Sequence, residues 1–74
     1  MKTKEEIIKD ISIILSTIPE LKKRSDDRLR CLAAIEGFLI VLGELHMHQK
    51  LDYLQGEGYE QCILRHARTC LQKI

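Results

Sequence analysis

Apolar residues recur at helical spacing near the start of the chain. Four isoleucines follow one another three or four positions apart: Ile7, Ile11, Ile14 and Ile18. That spacing is typical of the buried face of an amphipathic α-helix. Thr3 and Glu6 have the spacing of a capping box, in which two side chains bind backbone N–H groups at a helix start, and Pro19 disfavours α geometry at the preceding residue. We therefore predict a first helix over 4–16.

The next stretch is apolar nearly all round. Leu32–Leu45 reads LAAIEGFLIVLGEL, in which ten of fourteen residues are apolar and only Glu36 and Glu44 are charged. On a helix, such a stretch is apolar over far more than the ~100° stripe of an ordinary surface helix. It must therefore be covered on most of its sides.

The start and end of this second helix are predicted from its flanking residues. Ser25 is a suitable N-cap, and the acids that follow it, Asp26 and Asp27, suit the positive end of a helix dipole. Gly56 is a suitable residue to end the helix. We predict one long helix over 26–54, and the sequence leaves open whether it is continuous through Gly43.

The last stretch has a clear amphipathic stripe. Its apolar and weakly polar residues fall at i, i+3, i+4 and i+7 spacing: Tyr59, Cys62, Ile63, His66, Ala67, Cys70, Leu71 and Ile74. A third helix is predicted over 59–74. The preceding Gly56-Glu57-Gly58 turn would fold it back along the second helix.

These elements predict one all-α domain over 1–74: a small three-helix bundle on a long central helix, with an antiparallel hairpin and a short N-terminal helix. A chain of this size is marginally stable alone and is often supplemented by a partner. Because the flanking helices are shorter than the central one, part of its apolar surface should stay open. The residues predicted to bind a partner there are Phe38, Val41, Leu42 and Leu45.

Composition narrows the class of protein. A net charge of +1 does not favour a dedicated nucleic-acid binder. Three cysteines, with no apolar leader segment at the N-terminus, favour a reduced, cytoplasmic protein. The apolar run is also shorter than the ~20 residues that a membrane span requires.

One group of side chains suggests a metal site. Cys62, His66 and Cys70 have C-x3-H-x3-C spacing, and thiolate and imidazole both bind zinc. On a straight helix, however, the first and last of them lie ~12 Å apart along the axis. Buried thiols that pack as small hydrophobes are the simpler interpretation.

A second group suggests nucleic-acid binding. Its basic residues precede the second helix and lie on the third: Lys22, Lys23, Arg24, Arg65 and Arg68. In a helix-turn-helix interpretation, the third helix would enter the DNA groove. A solvated, charged surface is the simpler interpretation.

No catalytic motif is present, so we expect neither an enzyme, nor a small-molecule substrate, nor a cofactor. The leading hypothesis is a cytoplasmic interaction module, such as an adaptor, co-chaperone or inhibitor, that buries an apolar helix face against a protein partner or a second copy of itself. The small size and helical hairpin of the chain resemble those of the small bacterial co-chaperones of type III secretion needle proteins. This resemblance is one of architecture, and no residue role is carried over from it. A DNA-binding regulator and a thiol–imidazole metal protein are the alternatives.

Overall fold

The computed structural model describes residues 2–45 and 51–73, and all regular structure within them is helical. Helix α1 spans Lys4–Thr17 and is followed by a 3₁₀ turn over Ile18–Glu20; α2 spans Asp26–Val41 and α3 spans Tyr59–Gln72. Each of the three helices contacts the other two. The predicted three-helix bundle is therefore confirmed. None of the helices in these two ranges is long and apolar enough to cross a membrane.

The predicted caps form at the starts of α1 and α2. The Thr3 hydroxyl accepts a hydrogen bond from the Glu6 N–H at 3.2 Å, and the Glu6 carboxylate accepts one from the Thr3 N–H at 3.3 Å. Ser25 accepts a hydrogen bond from the N–H of Arg28 at 3.2 Å. Such caps satisfy N–H groups that have no partner within the helix, typically stabilising it by about 1 kcal/mol.

The prediction that the second helix extends to residue 54 is wrong, because α2 ends at Val41. Gly43 adopts the left-handed conformation with φ of 79°. Its N–H donates to the Ile40 carbonyl at 3.0 Å, and the Glu44 N–H donates to the Leu39 carbonyl at 2.8 Å. This pair of bonds is a Schellman motif, which terminates a helix at a glycine. Residues 46–50, which the prediction also assigned to this helix, lie outside the described part.

The core forms where the stripes of the three helices meet. Its buried residues are Ile7, Ile11, Ile18, Leu32, Ile35, Leu39, Cys62, Ile63, Ala67 and Cys70. Ile11, Ile35 and Ile63, one from each helix, are completely buried. Full burial of a side chain of this size contributes about 1.5–3 kcal/mol. The isoleucine pattern of 7–18 and the stripe of α3 over 59–71 thus face the core as predicted. Ile74, the last residue of the predicted third helix, lies outside the described part.

Arg28 joins three segments at one end of the bundle. Its guanidinium forms two hydrogen bonds with the Glu60 carboxylate, at 2.6 and 2.9 Å, and donates to the carbonyls of Ile18 and Leu21. The hydrogen bonds between the two side chains raise the pKa of Arg28 and lower the pKa of Glu60. Arg28 therefore connects α2 to the 3₁₀ turn and to the start of α3.

Candidate functional site

One row of residues on the side of α2 that points away from the core is apolar. Core residues Leu32, Ile35 and Leu39 occupy one side of the helix. The opposite side carries four residues spaced four positions apart, which we call the outer row: Leu29, Ala33, Gly37 and Val41. All four are exposed, Leu29 to 51% and Val41 to 68%. Leu29 and Val41 stand at the two ends of the row and Ala33 and Gly37 join them, so the row is a continuous apolar strip and a candidate contact surface.

Gly37 is unusual in this row because packing within the chain does not require it. A Cβ atom built there would meet no atom of the described residues within 4 Å. Glycine in a helix interior costs about 0.8–1.0 kcal/mol relative to alanine. Within the monomer, glycine at position 37 therefore only lowers stability. The lack of a side chain does, however, allow another backbone to approach closely at this position.

The structure separates the four predicted partner-binding residues. Val41 is exposed and belongs to the outer row. Phe38, Leu42 and Leu45 are partly buried and pack against the core, and the ammonium group of Lys2 lies 5.8 Å from the centroid of the Phe38 ring. Of the four, only Val41 therefore lies on the exposed apolar row.

A second candidate site lies where the loop before α3 meets that helix. One ligand atom from each of Asp52, Cys62 and His66 lies within 4.8 Å of the other two. His66 Nε2 is 2.5 Å from Asp52 Oδ1. Cys70, predicted from the spacing to share this site, is buried in the core and does not belong to the cluster. Asp52, which the sequence analysis missed, takes its place.

Arg65 holds the loop in position against α3. Its guanidinium forms two hydrogen bonds with the Glu57 carboxylate, both at 3.0 Å, and donates to the Asp52 carbonyl at 2.8 Å. The Glu57 carboxylate also accepts from the N–H of Leu54 at 3.0 Å, which closes the turn around Gly56. Asp52 reaches His66 because this turn folds the loop back onto α3. The sequence has no regular spacing that predicts this contact.

Local electrostatics define the protonation of this cluster. Burial, together with the nearby Glu57 carboxylate, raises the pKa of the Cys62 thiol. The hydrogen bond from His66 lowers the pKa of Asp52. With no bound cation, Cys62 is therefore a neutral thiol at neutral pH, which disfavours a role as a nucleophile because the reactive form is the thiolate.

The predicted nucleic-acid residues occupy different environments. Lys22, Lys23 and Arg24 are exposed before α2, and the last two line a groove of about 590 Å³. Arg68 is exposed on α3, whereas Arg65 is paired with Glu57. An arginine already bound to a carboxylate has fewer donors for a phosphate. DNA binding stays a prediction that none of these contacts favours.

No protein-family model, curated protein or solved structure matches this chain. The two candidate sites are therefore the features of the molecule that bear on its function.

Proposed function

We propose that the chain is a non-enzymatic protein–protein interaction module that self-associates through the outer row of α2. The observation that carries this proposal is the apolar, exposed side of α2 opposite the core. A surface helix normally presents polar residues to solvent. The outer row of α2 instead exposes apolar residues to solvent: Leu29, Ala33, Gly37 and Val41.

The symmetry of the outer row favours a second copy as the occupant. The row is symmetric in residue size about position 35, with a large residue at each end and two small ones between. When two copies pack antiparallel about a two-fold axis at that position, Leu29 meets Val41 of the other copy and Ala33 meets its Gly37. A two-fold interface requires this self-complementarity, because the same patch serves both subunits.

Packing geometry supports the same pairing. Residues four apart form a ridge on a helix surface, and ridges of this type pack against one another at a crossing angle near −50°. At such an angle, contact is closest at the crossing point, which falls between Ala33 and Gly37. Small residues at that point allow the backbones to approach, and Leu29 and Val41 close the apolar contact at either side.

The compartment is part of the same proposal. All three cysteines of the chain, Cys31, Cys62 and Cys70, are free thiols. Unpaired cysteines suit a reducing compartment. We infer a cytoplasmic module in the broad class of adaptors, co-chaperones and inhibitors.

Light scattering on a sizing column tests self-association directly. The unmodified chain is expected to have the mass of a dimer at high concentration, and Val41→Asp the mass of a monomer. Val41 suits the test because it is 68% exposed, so its replacement leaves the core intact. Ile13→Asp is the matched control, since Ile13 is 55% exposed but lies on α1.

Two results would overturn the proposal. One is a monomer at every concentration of the unmodified chain. The other is a dimer that Ile13→Asp disrupts as strongly as Val41→Asp. Circular dichroism of each variant establishes that its helices are retained, so loss of the dimer is distinguished from loss of the fold.

A further inference from the structure

We propose that Asp52, Cys62 and His66 bind a divalent transition-metal ion, with Zn²⁺ as the ion that fits the ligands best. This site is separate from the outer row of α2, and the proposal is independent of self-association.

The fold already brings the three ligands together. Cys62 and His66 lie four residues apart on α3, so their side chains share one face of the helix, one turn apart. Asp52 approaches from the loop, and the three ligand atoms lie within 4.8 Å of one another. In a tetrahedral zinc site, with metal–ligand distances of 2.0–2.3 Å, ligand atoms are about 3.3–3.8 Å apart. To hold an ion, separations of up to 4.8 Å must shorten by about 1 Å, whereas Asp52 Oδ1 and His66 Nε2, now 2.5 Å apart, must move apart by about 1 Å. The exposed Asp52 side chain is the ligand that is free to make these movements.

The types of ligand select the metal. A thiolate and an imidazole favour zinc over magnesium or calcium, which prefer oxygen ligands. Binding deprotonates the Cys62 thiol, and this proton leaves to solvent. The proton that His66 Nε2 donates to Asp52 moves to Nδ1, which frees Nε2 to bind the ion. Three protein ligands leave a fourth position for water, as in open zinc sites.

Charges around the site match a doubly charged cation. The Asp52 carboxylate and the Cys62 thiolate together balance the two positive charges of the ion. The nearby Arg65 would repel a cation if it were unpaired, but its guanidinium is bonded twice to Glu57. Arg65 Nη2 also lies 3.9 Å from Cys62 Sγ, where it can donate to the thiolate. Such outer hydrogen bonds orient metal ligands and increase affinity.

The route to the site is open on one side. Cys62 is completely buried, and the His66 side chain is 18% exposed, whereas the Asp52 side chain is 68% exposed. An ion therefore reaches the thiol past Asp52. This arrangement also makes Asp52 the best residue to replace, because the change does not disturb the core.

Metal titration of the full chain tests the site. Addition of Co²⁺ to metal-free protein is expected to produce the absorption bands of a cobalt–thiolate complex, saturating at one equivalent, and Zn²⁺ should displace the cobalt. Asp52→Asn and His66→Gln should each weaken binding at least about tenfold, since the loss of even an outer-shell partner costs this much. Cys62→Ser should abolish the cobalt–thiolate band.

Cys70→Ser is the matched control, because it removes a buried thiol of the same helix that lies outside the cluster. It should leave the cobalt spectrum and stoichiometry unchanged. The proposal is overturned if the unmodified chain gives no cobalt–thiolate band, or if Cys70→Ser weakens binding as much as Asp52→Asn does. Val41→Asp should bind metal as the unmodified chain does. The cobalt titration therefore tests the metal site whether or not the chain self-associates.

Discussion

Replacing Gly37 with alanine is expected to stabilise the monomer and weaken the dimer. Gly37 lies in the interior of α2, where alanine is more favourable than glycine by about 0.8–1.0 kcal/mol. The added Cβ meets no atom of the described residues within 4 Å, so steric strain does not reduce this increase in stability. For a domain of this size, about 1 kcal/mol raises the melting temperature by about 4–8 °C. In the dimer, the same methyl group enters the closest approach of the two helices.

Two measurements separate these effects. Urea unfolding followed by circular dichroism, at concentrations where the chain is monomeric, gives the free energy of unfolding. Light scattering over a dilution series gives the dissociation constant of the dimer. Ser12→Ala is the control, because it increases helix propensity at an exposed position of α1 and should leave the dimer unchanged.

Two distinguishable results would contradict this prediction. If Gly37→Ala does not stabilise the monomer, the Cβ does not enter open space and this side of α2 is covered within the monomer. If it stabilises the monomer and leaves the dimer equally tight, the helices do not approach at Gly37. The second result would reject close approach at the outer row even when the chain is dimeric.

Three further outcomes are expected. Ile35→Ala should lower the free energy of unfolding in urea by about 2–5 kcal/mol, because Ile35 is completely buried; Ile13→Ala, at an exposed position, should change it by less than about 0.5 kcal/mol. Arg28→Ala should lower the urea midpoint, whereas Arg30→Ala should not, because the Arg30 side chain is 80% exposed. Burial and a hydrogen bond to a neighbouring carboxylate raise the pKa of Tyr59 to about 12. Stability should therefore be retained below the unfolded pKa of about 10 and fall as the pH rises towards 12. Unfolding of Tyr59→Phe at the same pH values should show a smaller fall, because groups such as the Cys62 thiol, whose pKa is also raised, still contribute.

Helix starts and core faces could be predicted because they depend on local chemistry. The capping box of Thr3 and the cap at Ser25 are encoded within four residues. The isoleucines of α1 and the stripe of α3 have a period that one helix alone determines. These parts of the bundle follow from the sequence without knowledge of what packs against them.

The end of α2 could not be predicted, because glycine in a helical pattern has two outcomes. It is tolerated at a cost in stability, as at Gly37, or it takes the left-handed conformation and ends the helix, as at Gly43. The apolar residues after Val41 extended the helical pattern past its actual end. Tertiary packing of Leu42 and Leu45 on the core explains why those residues are apolar although they are not helical.

The proposed metal ligands were only partly predictable for a related reason. Cys62 and His66 share a helix face, which spacing reveals. Asp52 joins them through a turn that Arg65 and Glu57 hold, and such a contact depends on the whole loop. Of the outer row, only Val41 was predicted to be open to a partner. The stretch 32–45 is apolar nearly all round, so the sequence pattern does not show which side of α2 faces the core.

The position of Arg28 has a consequence for how the molecule opens. One guanidinium holds the carbonyls of Ile18 and Leu21 and the carboxylate of Glu60. The first turn of α2 therefore cannot fray without releasing both the segment before it and the start of α3. Helix ends usually exchange their amide protons independently and fast, but here three ends should open as one cooperative unit. Exchange of the hydrogen-bonded amides at these ends, those of Leu21, Leu29 and Cys62, should be slow, should share one opening free energy, and should become independent in Arg28→Ala.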